Sequence, residues 1–267
     1  MGKVISLGIQ KGGCGKTTTT AMVSYQLASR GYKVLAVDFD SQGNLTQFLS
    51  QRDPYDFVHK TVFEACKERN PRPYIVPISD NLHLLPAEDF LSKFASWVLI
   101  DYPKILRQEL NQDAYAPSKV LKETLEVVKD EYDFILIDLP PNLGEQTING
   151  MAASDYALVI MQSEPFCKSA LERYLETLES SIDKLNENTR LLGILTAMID
   201  SRISLAKHIL AQAQEEYGDL VFDTVISRRA TILEYSFSGI STPTTKVDKE
   251  ANQMYVNLVD EILAKVG

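Results

Sequence analysis

The stretch Lys11-Gly12-Gly13-Cys14-Gly15-Lys16-Thr17 leaves this chain few ways to fold. It follows the apolar run Val4 to Ile9 and precedes Thr18 to Arg30, where apolar residues recur at helical spacing. Strand, glycine-rich turn and helix together form a setting in which a backbone wraps an anion. Small residues let the chain bend around phosphate oxygens, and the N–H groups of the turn and helix start point at them. In that setting Lys16 reaches the β- and γ-phosphates, and the Thr17 hydroxyl ligates Mg²⁺. Gly12, Gly13, Cys14, Gly15 and Thr18 complete the candidate nucleotide-binding loop. The general pattern G-x-x-x-x-G-K-[ST] fails at its first position, which is Gln10, and a second lysine, Lys11, stands beside it. One lysine serves one γ-phosphate. A second implies more negative charge than one subunit's nucleotide brings, such as a partner's nucleotide.

The rest of the chain repeats strand and helix signals. Gly31 is a helix stop, and Lys33 to Asp38 reads as a buried parallel strand, closing a right-handed βαβ unit. Asp38 to Asn44 then falls at the carboxyl end of that strand, the edge where open α/β sheets bind ligands. Asp40 is the candidate for handling water there; alternatively Asp40 or Ser41 caps the helix beginning near Asn44. Phe134 to Asp138 is a second buried strand ending in a carboxylate, placed to hold the shell of a Mg²⁺ ion. In Leu139 to Gly144 the tandem prolines stiffen the exit, and Gly144 permits an unusual turn. A backbone N–H of this segment is placed to sense a γ-phosphate.

Strands are expected again at Tyr156 to Met161, Leu191 to Met198 and Val221 to Ile226. Helices are expected at Ser118 to Glu131, Ser169 to Leu185, Ile203 to Tyr217 and Asp248 to Val266. This alternation predicts an α/β fold, a mostly parallel twisted sheet with helices on both faces, over one domain spanning 1–267. Residues 51–118 are the least patterned part, broken by Pro54, Pro71, Pro73 and Pro77. Within them, Asn81 to Pro86 reads as a strand. Glu88 to Leu110 reads as helix interrupted at Pro103, with Trp97 as packing rather than a base-stacking platform. His59 and His83 are isolated and read as structural or surface residues.

The formal net charge of −9 gives no global attraction to nucleic acid or anionic lipid. Binding to DNA would need a local patch, for which Arg202, Lys207, Arg228, Arg229, Lys246 and Lys249 are the candidates. Three dispersed cysteines, Cys14, Cys66 and Cys167, match neither a zinc or iron–sulfur pattern nor a disulfide framework. Those cysteines, with no leader and no membrane-spanning run, point to a cytoplasmic protein. The terminal helix carries more acids than bases, unlike a membrane-targeting helix.

K-G-G-x-G-K-T-T-T, D-x-D-x-Q-G-N from Asp38 and I-D-x-P-P-x-L-G from Ile137 together resemble the ParA family of partition ATPases. These are deviant P-loop ATPases, a group that also holds the MinD division-site ATPases. Val225-Ile226-Ser227-Arg228-Arg229 resembles the family's V-I-P-R-N segment, departing at Ser227 and Arg229. The resemblance implies that Lys16 holds the phosphates of its own subunit's ATP and Lys11 reaches the partner's. It implies that Thr17 and, less directly, Asp138 hold Mg²⁺, and that Asp40 orients the attacking water. It further implies a homodimer closed around two ATP molecules that binds nucleoid DNA without sequence preference. A ParB-type centromere-binding partner would stimulate slow hydrolysis and release it. No helix-turn-helix precedes the first strand, so sequence-specific DNA reading is not expected. The main alternative is a MinD-like membrane-associated ATPase. Further alternatives are a reductase iron protein, which suitably spaced cysteines would mark, a tyrosine kinase, which a tyrosine-rich tail would mark, and a scaffold that binds ATP without turnover.

Overall fold

Continuous burial along the first strands sets the architecture. In the computed structural model, β1 (Lys3–Gly8), β2 (Val34–Asp38) and β5 (Phe134–Asp138) lie side by side and parallel. Ile5, Leu7, Val34, Ala36, Phe134 and Leu136 join one apolar cluster. Val4, Leu35, Val37, Ile135 and Ile137 join the other. Side chains alternate across a pleated strand, so each run feeds a core on both faces and contains no polar alternation. The structure describes residues 2–9, 11–106, 116–162, 167–185, 188–199 and 204–267.

Among the described residues the sheet has eight strands, in the order β3-β4-β2-β5-β1-β6-β7-β8. The others are β3 (Val76–Pro77), β4 (Leu82–Leu85), β6 (Tyr156–Gln162), β7 (Arg190–Ile199) and β8 (Val221–Ser227). Only the β3–β4 pair is antiparallel, as the mostly parallel expectation requires. One face carries α1 (Lys16–Ser29) and α2 (Asn44–Ser50). The opposite face carries α3 (Val62–Glu68), the short turns α4 (Phe94–Ser96) and α5 (Tyr102–Ile105), and α6 (Val120–Glu126). Later come α7 (Glu145–Ala153), α8 (Cys167–Leu185), α9 (Ser204–Tyr217), α10 (Ala230–Ser238) and α11 (Lys246–Val266).

The helix expected from Glu88 is present but irregular: a 3₁₀ segment at Asp89–Lys93 runs through α4 into a π-helical stretch at Trp97–Asp101 and then α5, and residues 107–110 lie outside the described ones. Aromatic packing overrides helical regularity there. Trp97 meets Phe63, Phe94 and Tyr102 at centroid distances of 5.7, 6.1 and 4.9 Å, in agreement with a packing role. The helix expected at Ser118 to Glu131 is shortened to α6, flanked by single 3₁₀ turns. The helix α10 carries no sequence-level expectation; its nine residues sit between β8 and α11.

The terminal helix α11 begins with a capping box, Thr245 and Asp248 each bonding the other's backbone N–H at 3.1 Å. Its apolar stripe of Tyr255, Leu258, Val259 and Ile262 is buried against the sheet. Glu261 from the same helix accepts the N–H groups of Asp223 and Thr224, at 3.0 and 2.8 Å, on the edge strand β8. A carboxylate laid on an edge strand blunts its capacity to pair with another chain.

Candidate nucleotide site

Three strand ends lie level at the phosphate loop. The register pairs Leu7 with Asp138 and Asp38 with Asp138, so the ends of β1, β2 and β5 are level. The loop leaves β1 and turns into α1 at Gly15, whose φ of 82° is left-handed and suits glycine. No side chain caps α1. Its first-turn N–H groups therefore face outward with the positive end of the helix dipole behind them.

A cavity of about 440 Å³ opens over that helix start. Gly12, Gly13, Cys14, Gly15, Lys16, Thr17 and Thr18 form its floor. Asp40, Gln42 and Asn44 form one wall, and Pro141, Ser236 and Phe237 stand on others. Lys16 is buried, its Nζ 3.5 Å from the Lys11 carbonyl and 3.9 Å from Cys14 Sγ. Lys11 is half-buried and does not line this cavity, although its backbone closes the loop beneath Lys16. Gln10 lies outside the described residues.

Asp138 lies beneath Thr17. Thr17 Oγ1 donates to Asp138 Oδ2 at 2.7 Å, and Thr20 Oγ1 to Oδ1 at 3.2 Å. Burial pushes the Asp138 carboxyl up to about 6, a rise that Lys16 and the Thr17 hydrogen bond oppose and that Asp40 adds to. Burial, followed by the neighbouring Asp138, raises Asp38 further, to about 8. Burial disfavours the charged form of both carboxyls, and a cation arriving beside them would favour it.

The residues fit a triphosphate with Mg²⁺. A Cβ built on Gly12 or Gly13 meets nothing within 4 Å, so the cradle is open where an anion would rest. Thr17 with Asp138 behind it is a hard oxygen pair of the kind Mg²⁺ takes.

Several local expectations change. Neither Asp40 nor Ser41 caps α2: the N-cap is Gly43, at φ 63° and with no side-chain bond. A Cβ there would lie 2.8 Å from Pro54, so glycine is required twice over. Asp40 instead bonds the Gln42 N–H through Oδ1 at 3.1 Å and stays partly exposed at the cavity. Gly144 sits at φ −91°, ordinary backbone, and its N–H is given to Asn142 Oδ1 at 3.0 Å. Cys14 is buried, which raises its thiol pKa, so alkylation would be slow even without nucleotide.

Sequence reasoning missed Gln162. At the end of β6, it donates through Nε2 to the Gly13 carbonyl at 2.7 Å and pins the loop. Its position at the carboxyl edge of a parallel strand was the available signal.

The basic candidates lie apart from the cavity wall. Arg228 and Arg229 are exposed where β8 passes into α10, and Lys246 and Lys249 are exposed on the first turn of α11. Thr231 Oγ1 donates to Asp248 Oδ1 at 3.1 Å, tying the two helix starts together. Cations gain nothing from a helix N-terminus, so the fold alone gives no reason for them there. Arg202 lies outside the described residues, as does the side chain of Lys207 on α9. Among the described residues no helix is long and apolar enough to cross a membrane.

Comparison with known proteins agrees with this geometry. A family model described as an AAA domain matches residues 2–191. The chromosome-partitioning ATPase Soj of Treponema pallidum is 34% identical over 267 residues, 100% of this chain and 99% of that one. The cobyrinic acid a,c-diamide synthase of Mycobacterium smegmatis, solved with an ATP analogue and magnesium, has a TM-score of 0.76 at 29% identity, covering 88% of this chain and 92% of that one. A plasmid partition protein from Borrelia burgdorferi shares the fold, with a TM-score of 0.74 at 22% identity over 99% of both chains. With the loop, the paired acidic strand ends and a full-length match all in agreement, the chain belongs to the ParA family of partition ATPases, to which the Soj proteins belong.

Proposed function

We propose that this chain is an ATP-driven DNA-partition switch that works as a homodimer. Mg²⁺, when bound, supplies positive charge to the phosphate oxygens and so favours phosphoryl transfer to water. The remaining roles belong to the chain. Lys16 and the first-turn amides of α1 bind the phosphates; Thr17, backed by Asp138, holds the metal; Asp40 orients the attacking water. Lys11 reaches the nucleotide of the partner subunit, a role supported by membership of the ParA family. The ATP-bound dimer binds DNA without sequence preference through Arg228, Arg229, Lys246 and Lys249, with Arg202 and Lys207 as further candidates. A ParB-type partner accelerates an otherwise slow hydrolysis and releases it, in the cytoplasm on the nucleoid. The whole cycle is assigned to one ATPase domain, with residues 51–118 as its variable part.

The observation that carries this reading is the convergence of Lys16, Thr17 and Asp40 on one cavity. Phosphate release and assembly size, measured for the parent and for Asp40→Ala with ATP and Mg²⁺, test it. Asp40→Ala should dimerise and release phosphate at least about 100-fold more slowly. Turnover at the parent rate would remove Asp40 from the mechanism. Lys11→Ala should bind ATP yet stay monomeric, and normal association on a slowly cleaved analogue would overturn the shared site. The membrane-associated alternative loses support because the apolar face of α11 is already buried. Sedimentation with liposomes and ATP is its direct test.

A further inference from the structure

We propose that Asp38 and Thr46 form a buried latch that holds Asp40 in its working position. The inference rests on the role given to Asp40 above. Asp38 is the last residue of β2 and is fully buried. Its carboxylate accepts three hydrogen bonds. Oδ1 takes the Asp40 N–H at 3.2 Å. Oδ2 takes the Thr46 N–H at 2.8 Å and the Thr46 hydroxyl at 2.7 Å. The same hydroxyl accepts the Ala87 N–H at 2.8 Å. One side chain thus ties the strand end, the Asp40 turn and the first turn of α2, and Thr46 carries the tie on to the segment after β4.

The arrangement has two consequences. Gly43 offers α2 no side-chain cap, so Asp38, eight residues before Thr46, satisfies an N–H that the helix start leaves free. Asp40 itself sits on a tight turn, closed by the Gly43 N–H on the Asp40 carbonyl at 3.0 Å. Two bonds anchor this turn to buried structure: the Phe39 N–H to the Asp138 carbonyl at 3.0 Å, and the Asp40 N–H to Asp38. A carboxylate that orients water must be placed to within about half an ångström, and the group that holds its backbone decides that. An acid buried next to Asp138 is a costly way to cap a short helix. Such departures from the cheapest fold belong where chemistry needs them. Asp38 is therefore a positioning residue, acting through Asp40.

The test uses the full chain with ATP and Mg²⁺. Asp38→Asn keeps the volume, but whichever way the amide turns it presents an N–H to a donor, either that of Asp40 or those of Thr46. Thr46→Val removes the hydroxyl and keeps the shape; Thr46→Ser keeps the hydroxyl. Asp38→Asn and Thr46→Val should lower kcat at least about tenfold while the Kd for ATP stays within about threefold, and Thr46→Ser should return kcat to within about twofold of the parent. Parent-like kcat in Thr46→Val overturns the latch. Equal losses of ATP affinity and kcat, or a variant too unstable to bind ATP, assign the pair to the fold instead and also overturn it. Asp40→Ala separates the two ideas. If it turns over like the parent, the reading of Asp40 fails and the latch with it. If it is inactive while Thr46→Val is not, the latch alone fails.

Discussion

The phosphate-loop corner and the basic corner at α10 and α11 are built on opposite principles. In the first, Lys16, Asp38 and Asp138 are buried, and the two carboxyl groups are held by hydrogen bonds from three threonines, Thr17, Thr20 and Thr46. In the second, Arg228, Arg229, Lys246 and Lys249 are exposed, and the Lys246–Glu250 ion pair is a loose 4.0 Å. Buried polar groups are expensive unless matched, so their geometry is held nearly rigid and each residue carries a separable role. Exposed charges are screened and individually weak, and they count only when many act on one polyanion. Single substitutions should therefore be decisive at the first corner and graded at the second.

The strongest way to break that contrast is Lys16→Ala. It should weaken ATP binding by at least about 100-fold, because charge-assisted bonds to phosphate are lost in a buried setting; titration of a fluorescent nucleotide reads this. A loss below tenfold would show that the buried corner is no more decisive than a surface.

Next comes pH. Both Asp38 and Asp138 have folded-state pKa values above the ordinary carboxyl range, at about 8 and about 6. Between the unfolded value near 4 and those values, the folded state holds more protons than the unfolded one. Stability of the nucleotide-free protein is thus fullest below about pH 4, as far as these groups go, and is lost as pH rises toward 8, at an upper limit of roughly 1 kcal/mol per unit for each group, both contributing below about pH 6 and Asp38 alone above it. Asp38→Asn should flatten the slope between about pH 6 and 8 in denaturant titrations; an unchanged slope places its source elsewhere.

At the basic corner, Arg228→Ala with Arg229→Ala should weaken ATP-dependent DNA binding about tenfold near 0.1 M salt. It should lower the salt slope by about two and leave ATP affinity unchanged. An unchanged salt-dependent isotherm removes this patch. The smallest effect belongs to Gln162→Leu. Losing one hydrogen bond to the Gly13 carbonyl should cost about 1 kcal/mol, or roughly fivefold in ATP affinity. No change would mean that the loop holds its shape unaided.

Much of the sheet was legible because buried parallel strands leave uninterrupted apolar runs such as Phe134 to Asp138. The loop was legible because phosphate binding demands glycines and a lysine at fixed spacing. Across residues 89–106 helix was legible but its type was not, since the 3₁₀ and π stretches go with aromatic contacts around Trp97 that only the folded chain brings together. The tie from Gln162 to Gly13 spans 149 residues, so the strand end that carries Gln162 was readable locally but its partner was not. Gly8 illustrates the same limit: a Cβ there would strike the Tyr174 hydroxyl at 2.0 Å, a demand made by α8 and invisible in β1.

By itself the sequence determined the strand–loop–helix unit, the two acidic strand ends and the order of the later elements, because each is written in short-range spacing. Only the tertiary structure decided that Asp38 accepts the N–H groups of Asp40 and Thr46, that Gly43 and not an acid begins α2, and that Gln162 reaches the loop. Those outcomes depend on which strand ends lie level in the sheet and on which buried donors must find an acceptor, and neither is a property of any one segment.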